Sequence, residues 1–229
     1  MPRKNRRKMI KYCIFDLDGT LLDTLPTIKH YLNKTLIDYG LYAVGDSETK
    51  RYIGDGAYQL IFRAFSEQGV TDEKIISKAL SEYKAAYDSA PLYLTDFYDG
   101  ILDALDSLQE NGIKIAVLSN KPNAATVSVV RHFFGDRFSV IRGGIDGVPL
   151  KPDATSALEI ASELGALPKE IAFIGDTSVD VSTGVNMGAA LTVGVSWGFR
   201  EREELILAGA DAIADHPSEL FKVLEAANV

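Results

Sequence analysis

The chain of 229 residues contains a single cysteine, Cys13. One thiol closes no internal disulfide, and Cys/His metal-ligand spacing is absent, which excludes disulfide scaffolds and zinc ribbons. A reducing, cytoplasmic setting suits such a chain. Long apolar runs are missing too. Nothing approaches the roughly 18 residues of a membrane span. A secretory signal would need an apolar stretch behind the basic start, and Lys11, Asp16 and Asp18 interrupt it. Internal repeats and low-complexity segments are absent. Net charge is unevenly spread: the first eleven residues hold Arg3, Lys4, Arg6, Arg7, Lys8 and Lys11 and no acid. Those six sit in a chain of net charge −8, so the remainder carries −14. That balance argues against a nucleic-acid partner. Residues 1–9 read as a solvated, mobile tail, with Met9 an alternative start.

What remains is ordinary globular composition, 46% hydrophobic and 24% charged, enough for a full core in one large domain or two small ones. Short apolar runs at Tyr12–Phe15, 113–118, 171–174 and 190–195 read as buried strands, with a shorter one at Ala212–Ala214 and another near 138–141. Helical periodicity fills 100–111, 123–134, 153–165, 179–187, 201–209 and 217–227. Gly112, Gly135, Gly165 and Gly188 fall where helices should stop. This alternation predicts an α/β fold, a Rossmann-like, mainly parallel sheet with helices on both faces.

One stretch breaks the alternation. From 24 to 94 there is only helical spacing: Ile28, Leu32, Leu36 and Ile37, then Leu60, Ile61, Ala64 and Phe65, then Ile75, Ile76, Ala79, Leu80 and Tyr83. The expected organisation is a core from 1–23 and 95–229 carrying a helical cap domain at 24–94. Hinges are expected near 22–26 and 91–95.

Four segments carry chemistry, each at or just past a predicted strand end: Asp16-Leu17-Asp18-Gly19-Thr20, Ser119-Asn120-Lys121, Lys151-Pro152, and Gly175-Asp176-Thr177-Ser178-Val179-Asp180. In open parallel sheets that edge gathers ligand-binding residues. A carboxylate such as Asp16 can attack phosphorus and form an aspartyl-phosphate. A second one, Asp18, can protonate the leaving oxygen and then activate water. Gly19 permits an unusual turn, and the Thr20 hydroxyl can orient a neighbour. Asp-Gly also suits a plain turn. Asp176 and Asp180 add more negative charge than a phosphate tolerates without a cation, and hard oxygen ligands point to Mg²⁺. Asp176 also suits a helix N-cap. Lys151 can bridge phosphate and nucleophile, and Pro152 suits a helix start. Ser119 and the backbone N–H groups around Asn120 offer donors to phosphate oxygens. Lys121-Pro122 reads as the start of the next helix.

Together these motifs resemble those of the haloacid dehalogenase superfamily, in its phosphatase branch, from about Met9 to the C-terminus. The resemblance implies a helical cap inserted after the first motif. It implies Asp16 as nucleophile, Asp18 as general acid/base, Thr20 and Ser119 as phosphate-orienting hydroxyls and Lys151 as the phosphate-stabilising lysine. Mg²⁺ would be held by Asp16, the Asp18 backbone carbonyl and Asp176, with Asp180 in support. Ala154, where many relatives repeat a proline, and Gly184, where alanine is usual, depart from the pattern without touching its chemistry. An acid at Asp18 separates this chain from dehalogenases and favours phosphate esters with an oxygen leaving group.

Substrate choice is expected in the cap. Tyr52-Ile53-Gly54-Asp55-Gly56-Ala57 and Val195-Ser196-Trp197-Gly198-Phe199 resemble segments of phosphoglycolate phosphatases. Gly54 is a candidate substrate contact, and Gly19 and Asn120 candidate phosphate contacts. Arg51 could meet a substrate carboxylate or simply be solvated. The expected activity is a Mg²⁺-dependent phosphatase of a small phosphorylated metabolite, 2-phosphoglycolate among the candidates. The alternatives are a phosphomutase of the β-phosphoglucomutase type, a pyrophosphatase or nucleotidase, and a catalytically inactive binding protein. No membrane partner is expected, and the chain is expected to be a monomer or homodimer.

Overall fold

The computed structural model describes residues 10–228, so the basic tail and the start expected at Met9 lie outside the described residues. In chain order, β1 (Tyr12–Phe15) and β2 (Leu22–Asp23) lead into α1 (Leu25–Asp38), α2 (Asp46–Tyr52), α3 (Gly56–Ser66) and α4 (Glu73–Ser89). Then follow β3 (Asp96–Phe97), α5 (Ile101–Glu110), β4 (Lys114–Pro122), α6 (Asn123–Phe134), β5 (Val140–Gly144) and α7 (Thr155–Leu164). The chain ends with β6 (Ile171–Gly175), α8 (Ser178–Met187), β7 (Leu191–Val195), α9 (Arg202–Leu207), β8 (Ala212–Ala214) and α10 (Leu220–Ala227).

Six strands form one parallel sheet in the order β5-β4-β1-β6-β7-β8. The chain runs outward from β1 through β4 to β5, then crosses back to lay β6 against β1. The order therefore reverses between β1 and β6, where such sheets open a crevice at their carboxyl ends. Asp16 follows β1 and Asp176 follows β6, and Phe15 is in register with Ile174.

The two-residue period of a strand sorts the apolar side chains onto both faces. Cys13, Phe15, Ile115, Val117, Ala172 and Ile174 pack with α5, α6 and α10. Ile14, Ala116, Leu118, Ile171 and Phe173 pack with α7 and α8. Phe15, Ile14 and Phe173 are fully buried, each contributing about 1.5–3 kcal/mol. Gly112, Gly135, Gly165 and Gly188 lie just past the ends of α5, α6, α7 and α8.

The helices α1 to α4 gather around their own apolar cluster, including Ile28, Leu32, Leu36, Leu60, Ile61, Phe65, Ile76, Tyr83 and Tyr87. Phe199, from the loop after β7, joins that cluster from the sheet side. Asp72 caps α4, its carboxylate accepting from the Lys74 amide at 2.8 Å. The buried stripe of α4 is Ile76, Ala79, Tyr83 and Tyr87, one helical face. Ile75, expected on that stripe, is 39% exposed, and Ile37, expected beside Leu36, is 60% exposed. Each follows or precedes the stripe by one residue, a turn of about 100° off the face.

Two strands were not foreseen. β2 and β3 pair antiparallel at the two ends of the helical insert, Leu22 opposite Phe97 and Asp23 opposite Asp96. Two residues are too few for an alternating pattern to register.

Candidate active site

Three carboxylates meet at the carboxyl edge of the sheet. Asp16 follows β1, Asp176 follows β6, and Asp180 lies in the first turn of α8. One oxygen of each lies within 4.8 Å of the others. All are buried. Lys151, in the loop between β5 and α7, reaches in with its Nζ 2.7 Å from Asp180 Oδ1 and 2.8 Å from Asp16 Oδ1.

Each carboxylate is aimed by a local device. Asp180 shares a capping box with Thr177, its Oδ2 accepting from the Thr177 amide at 3.0 Å and hydroxyl at 2.7 Å. That leaves Oδ1 for Lys151. The expected cap at Asp176 is thus corrected, because Thr177 caps α8 and releases Asp176 for the site. Asp176 Oδ1 accepts from the Thr20 hydroxyl at 2.8 Å and Oδ2 from the Phe199 amide at 2.9 Å. Gly19, at φ +86°, lets the backbone pass so close that a Cβ there would lie 2.3 Å from Asp176 Oδ2.

Electrostatics set the cluster apart. Burial raises the Asp16 carboxyl well above its usual range, Asp180 adds to this, and Lys151 opposes it. Burial and then Asp180 push Asp176 up to about 7. Burial lowers the Lys151 ammonium, but Asp16 and Asp180 outweigh this and keep it charged. Three carboxylates against one ammonium leave a formal charge of −2. Hard carboxylate oxygens that converge within 4.8 Å at a formal charge of −2 fit a divalent cation.

Asp18 stands outside this triad. Both its oxygens face the Lys121 ammonium, at 2.8 and 3.1 Å. Lys121 is buried, and its Nζ also donates to the Tyr87 hydroxyl at 2.7 Å. Burial lowers its pKa, but Asp18 and Tyr87 outweigh this and raise it above the usual lysine value. From the sequence, Lys121 is expected only as part of a helix start. Pro122 does precede α6, but the Lys121 side chain turns into the site. Its place directly after Ser119-Asn120 at the end of β4 was the available signal.

A cavity of about 90 Å³ opens between the sheet edge and the insert. Asp16, Asp18, Ser119, Asn120, Lys121 and Lys151 line it from the sheet. Ile53, Gly54, Leu60, Tyr83, Lys84 and Tyr87 line it from the helices. The Ser119 hydroxyl accepts from the Lys121 amide at 3.2 Å. The Asn120 amide donates to the Gly54 carbonyl at 3.0 Å and the Lys151 carbonyl at 3.1 Å, and its oxygen accepts from the Lys151 amide at 2.9 Å. Asn120 therefore braces two loops.

Three expectations are corrected. Arg51 does not line the cavity; it lies exposed and pairs with Glu67 at 3.2 Å. The Thr20 hydroxyl is taken by Asp176 and does not face the cavity, so it orients a carboxylate. Pro152 follows a cis peptide bond and does not begin α7, which starts at Thr155.

Residues 13–193 match the family described as haloacid dehalogenase-like hydrolase. The phosphoglycolate phosphatase of Rhodospirillum rubrum is 32% identical over 213 residues, 90% of this chain and 88% of that protein. The N-acetylmuramic acid 6-phosphate phosphatase of Pseudomonas aeruginosa is 30% identical over 97% of this chain and 98% of its own length. A crystal structure from Lactobacillus delbrueckii subsp. bulgaricus, provisionally named a phosphoglycolate phosphatase, superposes with a TM-score of 0.90 at 28% identity. It covers 94% of this chain and 98% of its own. Among the described residues no helix is long and apolar enough to cross a membrane.

Proposed function

We infer that this chain, which belongs to the haloacid dehalogenase-like hydrolases and is a phosphatase, hydrolyses a small phosphorylated acid, 2-phosphoglycolate, by way of an aspartyl-phosphate at Asp16. The observation that carries the mechanism is the convergence of Asp16, Asp176 and Asp180, with Lys151 in contact with Asp16 and Asp180 and Asp18 on the same cavity wall.

In the first step an oxygen of the Asp16 carboxylate forms a bond to phosphorus. The bond from phosphorus to the leaving oxygen breaks, its electron pair stays on that oxygen, and Asp18, carrying the proton it took from water in the preceding turnover, delivers it there. In the second step Asp18 takes a proton from water, the water oxygen bonds to phosphorus, and Asp16 leaves as a carboxylate with inorganic phosphate released. Lys151 holds its charge beside Asp16 and offsets the negative charge of the arriving phosphate. Ser119 supplies a hydroxyl at the same wall. Asp16, Asp176 and the Asp18 carbonyl would hold Mg²⁺, with Asp180 in support. When bound, the ion would supply positive charge that offsets the negative charge of the phosphate. Residues 24–94 act as the cap that closes the cavity.

One observation favours 2-phosphoglycolate: the Rhodospirillum rubrum relative carries that activity in its name. The Pseudomonas aeruginosa relative makes N-acetylmuramic acid 6-phosphate the second reading. Cys13, buried in β1, supports a cytoplasmic location.

The test is Mg²⁺-dependent phosphate release with 2-phosphoglycolate, N-acetylmuramic acid 6-phosphate, β-glucose 1-phosphate, pyrophosphate and nucleoside monophosphates, with Asp16→Asn as the blank. Preferential turnover of 2-phosphoglycolate is expected. A preference for another member discards the substrate and keeps the chemistry. No release at all from folded protein with Mg²⁺ overturns the reading.

A further inference from the structure

Lys121 has a position that the proposed steps leave unused. Its side chain is 7% exposed, and its Nζ meets both oxygens of Asp18. No other described residue hydrogen-bonds the Asp18 carboxylate. One ammonium therefore fixes the plane and direction of that group. The same Nζ donates to the Tyr87 hydroxyl and lies 4.7 Å from the centre of the Tyr87 ring. Tyr87 belongs to α4, in the helical insert, whereas Asp18 and Lys121 belong to the sheet unit. The neighbouring Asn120 makes a second bridge to the insert, through the Gly54 carbonyl. Two consecutive residues at the end of β4 thus each grip a different part of the insert.

We propose that Lys121 is a positioning residue for Asp18, and that Tyr87 makes this positioning depend on the helical insert being seated over the site. The proposal rests on the reading of Asp18 as the proton donor to the leaving oxygen. With the insert seated, Lys121 is held from two sides and Asp18 points at one place. With the insert lifted, Tyr87 leaves, and the lysine with its carboxylate is free to move. Proton delivery is then confined to the closed cavity.

The test uses a series of aryl phosphates from p-nitrophenyl to phenyl phosphate. kcat/KM reports only the steps up to departure of the leaving group, and poor leaving groups depend most on a well-placed acid. Asp18→Asn is the reference and should lower kcat/KM for phenyl phosphate at least about tenfold more than for p-nitrophenyl phosphate. Lys121→Met should reproduce that bias, and Tyr87→Phe should show it more weakly. Tyr87→Phe should add nothing in the Lys121→Met background. Equal losses across the series in Lys121→Met, beside a biased Asp18→Asn, overturn the proposal and leave the proton-donor reading standing. An unbiased Asp18→Asn removes the reading itself. Should Lys121→Met fail to fold, Tyr87→Phe, which keeps the ring and the lysine, decides alone: an unbiased loss or no loss counts against the proposal.

Discussion

The Thr20 hydroxyl donates to Asp176 Oδ1 at 2.8 Å, joining residues 156 apart in sequence. This contact ties the loop after β1 to the loop after β6 across the point where strand order reverses. Thr20→Val keeps the shape and removes the donor, leaving a buried carboxylate short of a hydrogen bond. Such losses cost about 1–3 kcal/mol. The expected result is weaker Mg²⁺ activation, by roughly tenfold, with KM for the phosphate ester nearly unchanged. Titrating activity with Mg²⁺ checks this. A raised KM with normal metal dependence would return Thr20 to the phosphate-orienting role.

Asp16→Asn keeps size and removes the nucleophilic charge. Turnover should vanish, and no phosphate should be trapped on the protein when a rapidly quenched reaction is analysed by mass spectrometry. The variant should still fold, because burial raises the pKa of Asp16 and a neutral group is tolerated there. Residual turnover above the Asp16→Asn, Asp18→Asn double variant would remove Asp16 from its role.

The raised carboxylates also set a pH dependence. Asp176 rises from an ordinary 3.8 to about 7, through burial and then Asp180. A group whose folded pKa is raised binds more protons in the folded state. Its contribution to stability is full below the unfolded value and is lost as pH rises through the folded one. Metal-free protein should therefore lose stability between about pH 4 and pH 7. Mg²⁺ replaces the protons, so its stabilising effect should grow across that window. Melting temperatures in chelator and in Mg²⁺, at about pH 5 and about pH 8, test the sign. A larger Mg²⁺ effect at the lower pH contradicts it.

The parts of this fold that were legible are those where one physical force dominates. β1 and β6 are short apolar runs cut off by Asp16 and Asp176, so burial and polarity mark strand and site edge together. β2 and β3 went unread, because two residues carry no period and their pairing depends on the insert bringing Leu22 to Phe97. On α4 the stripe was read one position too wide at Ile75, since hydrophobicity says that a residue can be buried, not that it is. Arg51 leaves two readings open in the sequence, a substrate contact or a solvated residue, and Glu67, sixteen residues on, takes it at the surface. Lys121 reads in the sequence only as part of a helix start, because its partners Asp18 and Tyr87 lie far along the chain. Charge partners set by tertiary structure leave no local pattern.

Gly54 gives the last prediction. It sits at φ +124°, a backbone conformation that side chains disfavour, and its carbonyl accepts the Asn120 amide at 3.0 Å. A Cβ there would meet no hard obstacle, its nearest neighbours being Arg200 Nη2 at 3.7 Å and Thr177 Cγ2 at 3.9 Å. The penalty of Gly54→Val is therefore conformational, about 1–3 kcal/mol, and falls on the seated arrangement of the loop. kcat/KM should drop about tenfold, and the ranking of substrates in the panel should change, because Gly54 lines the cavity. Mg²⁺ affinity should stay within about twofold, because a Cβ at Gly54 would lie within 4 Å of none of the carboxylates. Steady-state kinetics across the panel, beside a Mg²⁺ titration, separates the outcomes. Unchanged ranking would make the segment a plain interhelical turn, and lost metal affinity would mean that the Asn120 brace reaches the carboxylates through Lys151.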